Sequence, residues 1–294
     1  MSKKFIHKVN RKLQNYKILP GIISAPLLFG VLAVDAVATE PCGDFGECKA
    51  LIEINSSDGD IGFHFLMDGN DLNAARIRDP NGKMIFNERA RGPLREQKLT
   101  ETFVESAEPP CWWEEGEDWD EDEVVNLEDF LGRWSEGTYR YKGWGDDGER
   151  SRGRTDLTYE LPAAPADLAF DGSIITWGSG DDLGECAEIE DLDDLVSDGV
   201  LPVHPEDVEV AVWEVVLEPD VDDGDPLGKL KLTIRVAGDI ATKAVTVPTE
   251  YLAHLPDDTP AKIEVGAIGV DDNATFTELA EICLNVNEGC GDED

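Results

Sequence analysis

Between residues 49 and 160, apolar and polar side chains alternate in short runs. Residues 51–54 (LIEI) lead into a Ser/Asp/Gly turn at 56–60. Beyond it Ile61, Phe63, Phe65 and Met67 alternate with Gly62, His64, Leu66 and Asp68. That is the period of a half-buried strand. Asp79-Pro80-Asn81-Gly82 predicts a turn, because proline presets φ and Asn-Gly accepts positive φ. It joins residues 75–78 to 84–86 as a hairpin. Residues 99–105 give a further strand, with Thr100, Thr102 and Val104 on one face. Asn126 is placed to cap a short helix over 127–134, where Phe130, Leu131 and Trp134 fall at helical spacing. Gly137 stops it. Residues 138–144 and 150–161 form a last hairpin around Asp146-Asp147-Gly148. Short strands with turns at this spacing predict a β-sandwich over 49–161 with one short helix.

A proline-marked junction, Pro162-Ala163-Ala164-Pro165, opens a second region. Strand-like runs follow at 166–170, 173–177 (SIITW), 210–215 (VAVWEV), 230–236, 243–247, 261–268 and 275–283. This succession, over about 162–284, resembles a fibronectin type III domain. The resemblance puts Trp177 at the family's core tryptophan and Trp213 where tyrosine is usual. It implies a second, immunoglobulin-like sandwich, so the fold class is all-β with two β-sandwich domains. Two departures stand out. Residues 255–259 fit the approach to the family's tyrosine corner, yet no tyrosine follows them. An acidic insert, 178–209, separates the second and third strands, with a short helix expected near 187–196. The chain is similar in layout to exported bacterial proteins that end in such a domain. The fold hosts many functions and lends no activity by itself.

The N-terminal residues read as an address. Residues 2–17 carry six basic side chains and no acid, 18–34 are almost wholly apolar, and Ala36-Val37-Ala38 follows. That order predicts a signal peptide over 1–38, with cleavage after Ala38. An uncleaved membrane anchor is the rival, but Pro20, Gly21, Pro26 and Gly30 interrupt a 17-residue run at the short limit for spanning. Residues 39–48 form an N-terminal extension and 285–294 an acidic tail. An exported chain is expected in the periplasm, at the cell surface or outside the cell.

Export changes the reading of the cysteines. Cys42, Cys48, Cys111, Cys186, Cys283 and Cys290 all lie beyond residue 38, and an even count in an exported protein implies disulfides. No Cys-x-x-Cys pair points to zinc. Six cysteines allow 15 pairings. Local spacing favours Cys42–Cys48 and Cys283–Cys290, leaving Cys111 with Cys186. The fibronectin type III resemblance implies the same set. In that fold the 178–209 insert lies at the pole nearest the first region, and the last strand ends at the other. The sequence itself leaves the connectivity open.

Charge narrows the function further. The chain of 294 residues has 64 acidic and 25 basic side chains, a net of −39. Without residues 1–38 the net is −44. Such a surface disfavours nucleic acid and anionic lipid as partners, and it suits both solubility and a salty exterior. Against it stands a basic stretch, Arg76, Arg78, Lys83, Arg89, Arg91, Arg95 and Lys98, joined by Arg140, Lys142, Arg150, Arg152 and Arg154. Three readings compete: internal pairing with the acidic loop 114–123, an anionic exterior ligand such as an acidic polysaccharide, or contact with the acidic second domain of another copy. Trp112 and Trp113 either stack on a ligand or cover the Cys111 bridge. The candidate surface is therefore Arg76, Arg78, Arg89, Arg91, Arg95, Trp112 and Trp113.

No catalytic motif is present. Gly-x-Ser-x-Gly, His-Glu-x-x-His and the P-loop are all missing, and His64 reads as a satisfied, half-buried side chain. Asp220, Asp222, Asp223 and Asp225 around Gly224, and Asp58 and Asp60 around Gly59, offer oxygens for calcium. The EF-hand pattern fails, however, since its sixth and twelfth positions are Asp225 and Lys231. No cofactor or metal is expected beyond adventitious calcium. The expected role is a non-catalytic binding or structural module. Its partner is a protein or polysaccharide at the cell exterior, or another copy of the chain. A membrane enters only through residues 18–34 if they are retained. A carbohydrate-active enzyme or accessory is the alternative; it calls for a carboxylate pair in a deep aromatic groove, whereas a flat surface split into basic and acidic faces favours the module.

Overall fold

Turn chemistry and period-2 patterning place most of the strands seen in the computed structural model, which describes residues 42–112, 123–187, 191–222 and 224–290. The signal segment, Trp113, most of the acidic loop and Asp223 lie outside the described residues. The first sandwich contains β1 (Glu47–Asn55), β2 (Asp60–Leu72), β3 (Ala74–Arg78), β4 (Met84–Arg89), β5 (Leu99–Glu105), β6 (Gly137–Trp144) and β7 (Arg150–Leu157). The Asp79–Gly82 turn joins β3 to β4 as patterned, with Asp79 accepting from the Lys83 amide at 2.7 Å. Helix α1 (Pro93–Gln97) buries no residue, so it left no apolar periodicity to read. Helix α2 (Leu127–Arg133) is the capped one: Asn126 accepts from the Asp129 amide, and Leu127, Phe130 and Leu131 are buried. Phe63 stacks on Trp134 at 4.0 Å between centroids, and Phe65 meets Phe86 edge-on at 4.8 Å, so the core lies between the two sheets.

The second sandwich holds β8 (Ala166–Phe170), β9 (Ile174–Gly178), β10 (Val210–Pro219), β11 (Leu232–Ala237), β12 (Ala244–Thr246), β13 (Thr259–Gly269) and β14 (Ala274–Leu284). The order β12-β9-β8 opposes β11-β10-β13-β14. This is the fibronectin type III-like arrangement, with Trp177 and Trp213 buried and 6.0 Å apart. Helix α3 (Leu192–Ser197) lies in the insert, capped by Asp191. Helix α4 (Thr249–Leu252) carries Tyr251, whose hydroxyl reaches the Leu217 and Leu230 carbonyls. A tyrosine thus pins this region from ahead of Leu255, not from after it.

The two sandwiches share a sheet. β14 pairs in parallel with β1 (Glu53 with Ala274, Ile54 with Thr275, Asn55 with Phe276), giving the seven-stranded order β11-β10-β13-β14-β1-β2-β5. Asn273, fully buried, closes the seam. Its Oδ1 accepts from the Ile52 amide at 2.9 Å, and its Nδ2 donates to the carbonyls of Thr158 and Glu160. Thr275 donates to the Pro162 carbonyl at 2.6 Å. The Ser56 amide donates to the Phe276 carbonyl at 2.7 Å. Disulfides link Cys42–Cys48, Cys111–Cys186 and Cys283–Cys290, with Cα separations of 5.4, 5.1 and 5.6 Å. The second of these staples the 178–209 insert to the first sandwich beside the 56–60 turn, where the Glu185 amide donates to the Ser56 carbonyl. Closing a loop of that length stabilises by about 4 kcal/mol.

Candidate binding surface

The second sheet of the first sandwich, in the order β4-β3-β6-β7, buries Ala75, Ile77, Tyr139, Tyr141 and Leu157 on its inner face. Because strand side chains alternate, the residues between them point out. Register then aligns those residues across the strands. Arg76, Lys142 and Arg152 form one row; Arg78, Arg140 and Arg154 form the next. Arg89 and Arg150 occupy a third row that includes Trp144. Strands about 4.8 Å apart and alternate residues about 6.8 Å apart put these eight cations on a grid roughly 14 Å on a side. All eight are exposed. Among the described residues none of them forms an ion pair. Asp156 is the one acid at an outward strand position, and it accepts from Thr138. Arg76 lies 5.0 Å from the Trp144 ring and donates to Asn87. Arg140, Lys142, Arg152 and Arg154 line an open cleft of about 830 Å³, bounded by the Cys42–Cys48 loop, Tyr141 and Asp156.

Like charges directly opposite one another destabilise a sheet, and here Lys142 and Arg140 each face two cations. What the arrangement can do is grip anions. Guanidinium forks bind carboxylate or sulfate bidentately, and a repeated grid suits a polymer better than a single ion.

The sequence-predicted surface divides. Arg76, Arg78 and Arg89 join the grid, with five cations from β6 and β7. Arg91 follows β4, and Arg95 sits on α1, both exposed. Of the basic stretch, Lys98 is paired internally, to Asp146. Trp112 lies elsewhere. A Cβ on Gly59 would fall within 1.9 Å of its ring, and Gly59 has φ +67°, so a glycine is required under it. Trp112 therefore packs beside the Cys111–Cys186 bridge. The sequence names the five from β6 and β7 with the basic stretch but leaves them out of the candidate surface; the signal that joins them to it is alternation, since Arg140-Tyr-Lys142 and Arg150-Ser-Arg152-Gly-Arg154 put every second residue on one face.

The outer face of the seven-stranded sheet has different chemistry. Its cations are paired: Arg235 with Glu214, Lys231 with Glu218, Lys49 with Glu47 and Asp272, and Lys262 with Glu264 and Glu278. Burial disfavours the Lys262 ammonium, but its hydrogen bonds to Glu278 and Glu264 outweigh that and raise its pKa well above the ordinary value. Toward β5 the pairing runs out. His64, 5% exposed, has Glu108 3.3 Å from Nε2 and Glu53 3.7 Å from Nδ1. Burial pushes the Glu53 carboxyl up; His64 opposes this, and Glu108, Glu105 and Glu214 add to it. Asp60, at the start of β2, is pushed up to about 6 by burial and by Glu108 and Asp58, against a hydrogen bond from Asn55. In the 220–225 turn, the Asp225 carboxylate caps the Leu227 amide.

No protein-family profile matches the chain, and no curated protein does. Two solved structures give the measure of likeness. One is a two-domain fibronectin type III segment from chicken tenascin, 7% identical, covering 80% of this chain and 97% of its own, at a TM-score of 0.23. The other is the BSP domain of a biofilm-associated protein, 10% identical over 84% of this chain, at a TM-score of 0.22. This chain spans 30% of that protein's length. The fold assignment rests on the strand order described above.

Proposed function

We propose that the chain is an exported, non-catalytic binding module whose four-stranded sheet holds an acidic polysaccharide at the cell exterior. The observation that carries this reading is the grid of eight unpaired cations on one sheet face of a chain with net charge −39. At moderate ionic strength the Debye length is about 10 Å. A ligand seated on the grid is then governed by the local cations more than by the distant acids. Three disulfides in a chain with no free cysteine suit an oxidising exterior.

The test is retention of the full chain on immobilised polygalacturonate and dextran sulfate, with neutral dextran as control. Binding is expected to the two charged polymers, to weaken as sodium chloride rises, and to be lost when Arg76, Lys142 and Arg152 are changed to Gln. Equal retention of the variant, or retention on neutral dextran, overturns the reading.

A further inference from the structure

We infer that Glu53, His64 and Glu108 form a binding site for a single divalent transition-metal ion of the zinc type. One donor atom from each residue lies within 4.8 Å of the other two. A tetrahedral cation held at about 2.0–2.2 Å by each donor brings them to roughly 3–3.6 Å. One ion takes one ring nitrogen, so the site uses Nε2, where Glu108 already lies at 3.3 Å, and Glu53, now 3.7 Å from Nδ1, swings its carboxylate across to that edge on binding. Glu53 and His64 come from adjacent paired strands, where the backbone is rigid, with Gly62 directly opposite Glu53. Gly62 is the residue that makes room: a Cβ there would meet Glu108 Oε1 at 2.7 Å and His64 Nε2 at 2.9 Å.

Charge points the same way. Glu53, Glu105 and Glu108 surround one imidazole, and among the described residues no lysine or arginine pairs with any of them. A single imidazolium leaves two negative charges uncompensated. A divalent ion on a neutral imidazole leaves one. The imidazole is buried, but the Glu53 and Glu108 side chains are 27% and 25% exposed, so the carboxylate side of the cluster meets solvent. Phe103, 56% exposed, stands edge-on to the His64 ring at 5.6 Å and fences one side. A ligand set with one imidazole selects zinc, cobalt or nickel over calcium and magnesium, which take oxygen alone.

The experiment is titration of the chelator-treated full chain with zinc chloride, followed by calorimetry and melting temperature, with cobalt chloride as a spectroscopic probe. One zinc per chain is expected, with a rise in melting temperature and visible cobalt absorption of a low-coordinate site. His64→Gln and Glu108→Gln should each weaken zinc at least roughly tenfold. Glu108→Gln keeps a hydrogen-bonding partner for the imidazole, so its fold is preserved should His64→Gln fail to fold. Glu101→Gln, on the same face but outside the cluster, should leave zinc binding unchanged. Three outcomes overturn the inference: no zinc uptake, several zinc ions bound equally by Glu108→Gln, or calcium matching zinc. Any of these makes the cluster an imidazolium held between two carboxylates and nothing more. None of them bears on polysaccharide binding, which uses the other sheet.

Discussion

The outer faces of the two sheets in the first sandwich handle charge in opposite ways. On the seven-stranded sheet, cations sit among acids. Lys262 alone lies within 4 Å of Glu218, Glu264 and Glu278. On the four-stranded sheet, cations sit opposite cations, and Asp156, which accepts from Thr138, is the one described acid at an outward strand position. Paired charges on a sheet face are explained by the fold that holds them. Unpaired like charges in register are not, because they cost stability and gain nothing inside the molecule. On the proposed function, the first face serves the structure and the second a partner. Among the described residues, the acids around His64 on the seven-stranded face have no lysine or arginine partner, and there a cation from outside would be most useful.

The largest expected effect comes from breaking the seam that makes the seven-stranded face continuous. Asn273→Ala leaves the Ile52 amide and the Thr158 and Glu160 carbonyls without their buried partner. Losing about three such bonds should cost about 3 kcal/mol or more. Urea unfolding of the variant against the parent chain measures it. A cost below 1 kcal/mol would mean that the parallel β14–β1 pairing holds the sandwiches together unaided.

That seam is what the sequence hid. The strands themselves were legible, because period-2 alternation and Asp-Pro-Asn-Gly or Asp-Asp-Gly turns are local signals. β5 falls at 99–105 as patterned, and the cysteine pairing favoured by spacing is the one present. A parallel pairing between residues 53–55 and 274–276 has no local signature. Asn273 looks like any turn residue until its buried partners are known. The basic grid was half legible: its members could be named from the sequence, but their rows follow from the β3-β6-β7 register. The His64 cluster was hidden for another reason. Glu108 lies in irregular chain after β5, where no period predicts direction.

Two further measurements sharpen the contrast on the seven-stranded side. Lys262→Met removes the ammonium that Glu218, Glu264 and Glu278 share, and should destabilise by about 1–2 kcal/mol, less at high salt. Asp60 reports where pairing runs out. Its folded pKa, about 6, lies above the unfolded value of 3.8. Its stabilising contribution is therefore fully present below pH 3.8 and is lost as pH rises through 6. After discounting for partial exposure, the loss should be about 1 kcal/mol. Subtracting the melting curve of Asp60→Asn from that of the parent across pH 4–7 isolates it. A difference that is flat or rises with pH would contradict the burial that, with Glu108 and Asp58, raises this carboxyl.

The smallest effect is the most discriminating, because its sign is unusual. Arg140 and Lys142 on β6 each face a cation on both sides, Arg78 and Arg154 for the first, Arg76 and Arg152 for the second. Replacing both with Thr removes four like-charge cross-strand pairs and supplies residues that favour strands. Neither side chain is buried, so no cavity opens. The double variant should gain about 0.5 kcal/mol in stability while its retention on polygalacturonate falls by roughly tenfold or more, as expected when charged forks are lost from the centre of a polyanion grip. Gain of stability with loss of binding is the mark of residues kept for function against the interest of the fold. On the seven-stranded face the same kind of change, Lys262→Met, goes the other way. Should the double variant instead lose stability, the eight cations must be neutralised within the molecule, and the acidic loop 114–123 becomes their partner in place of a polysaccharide.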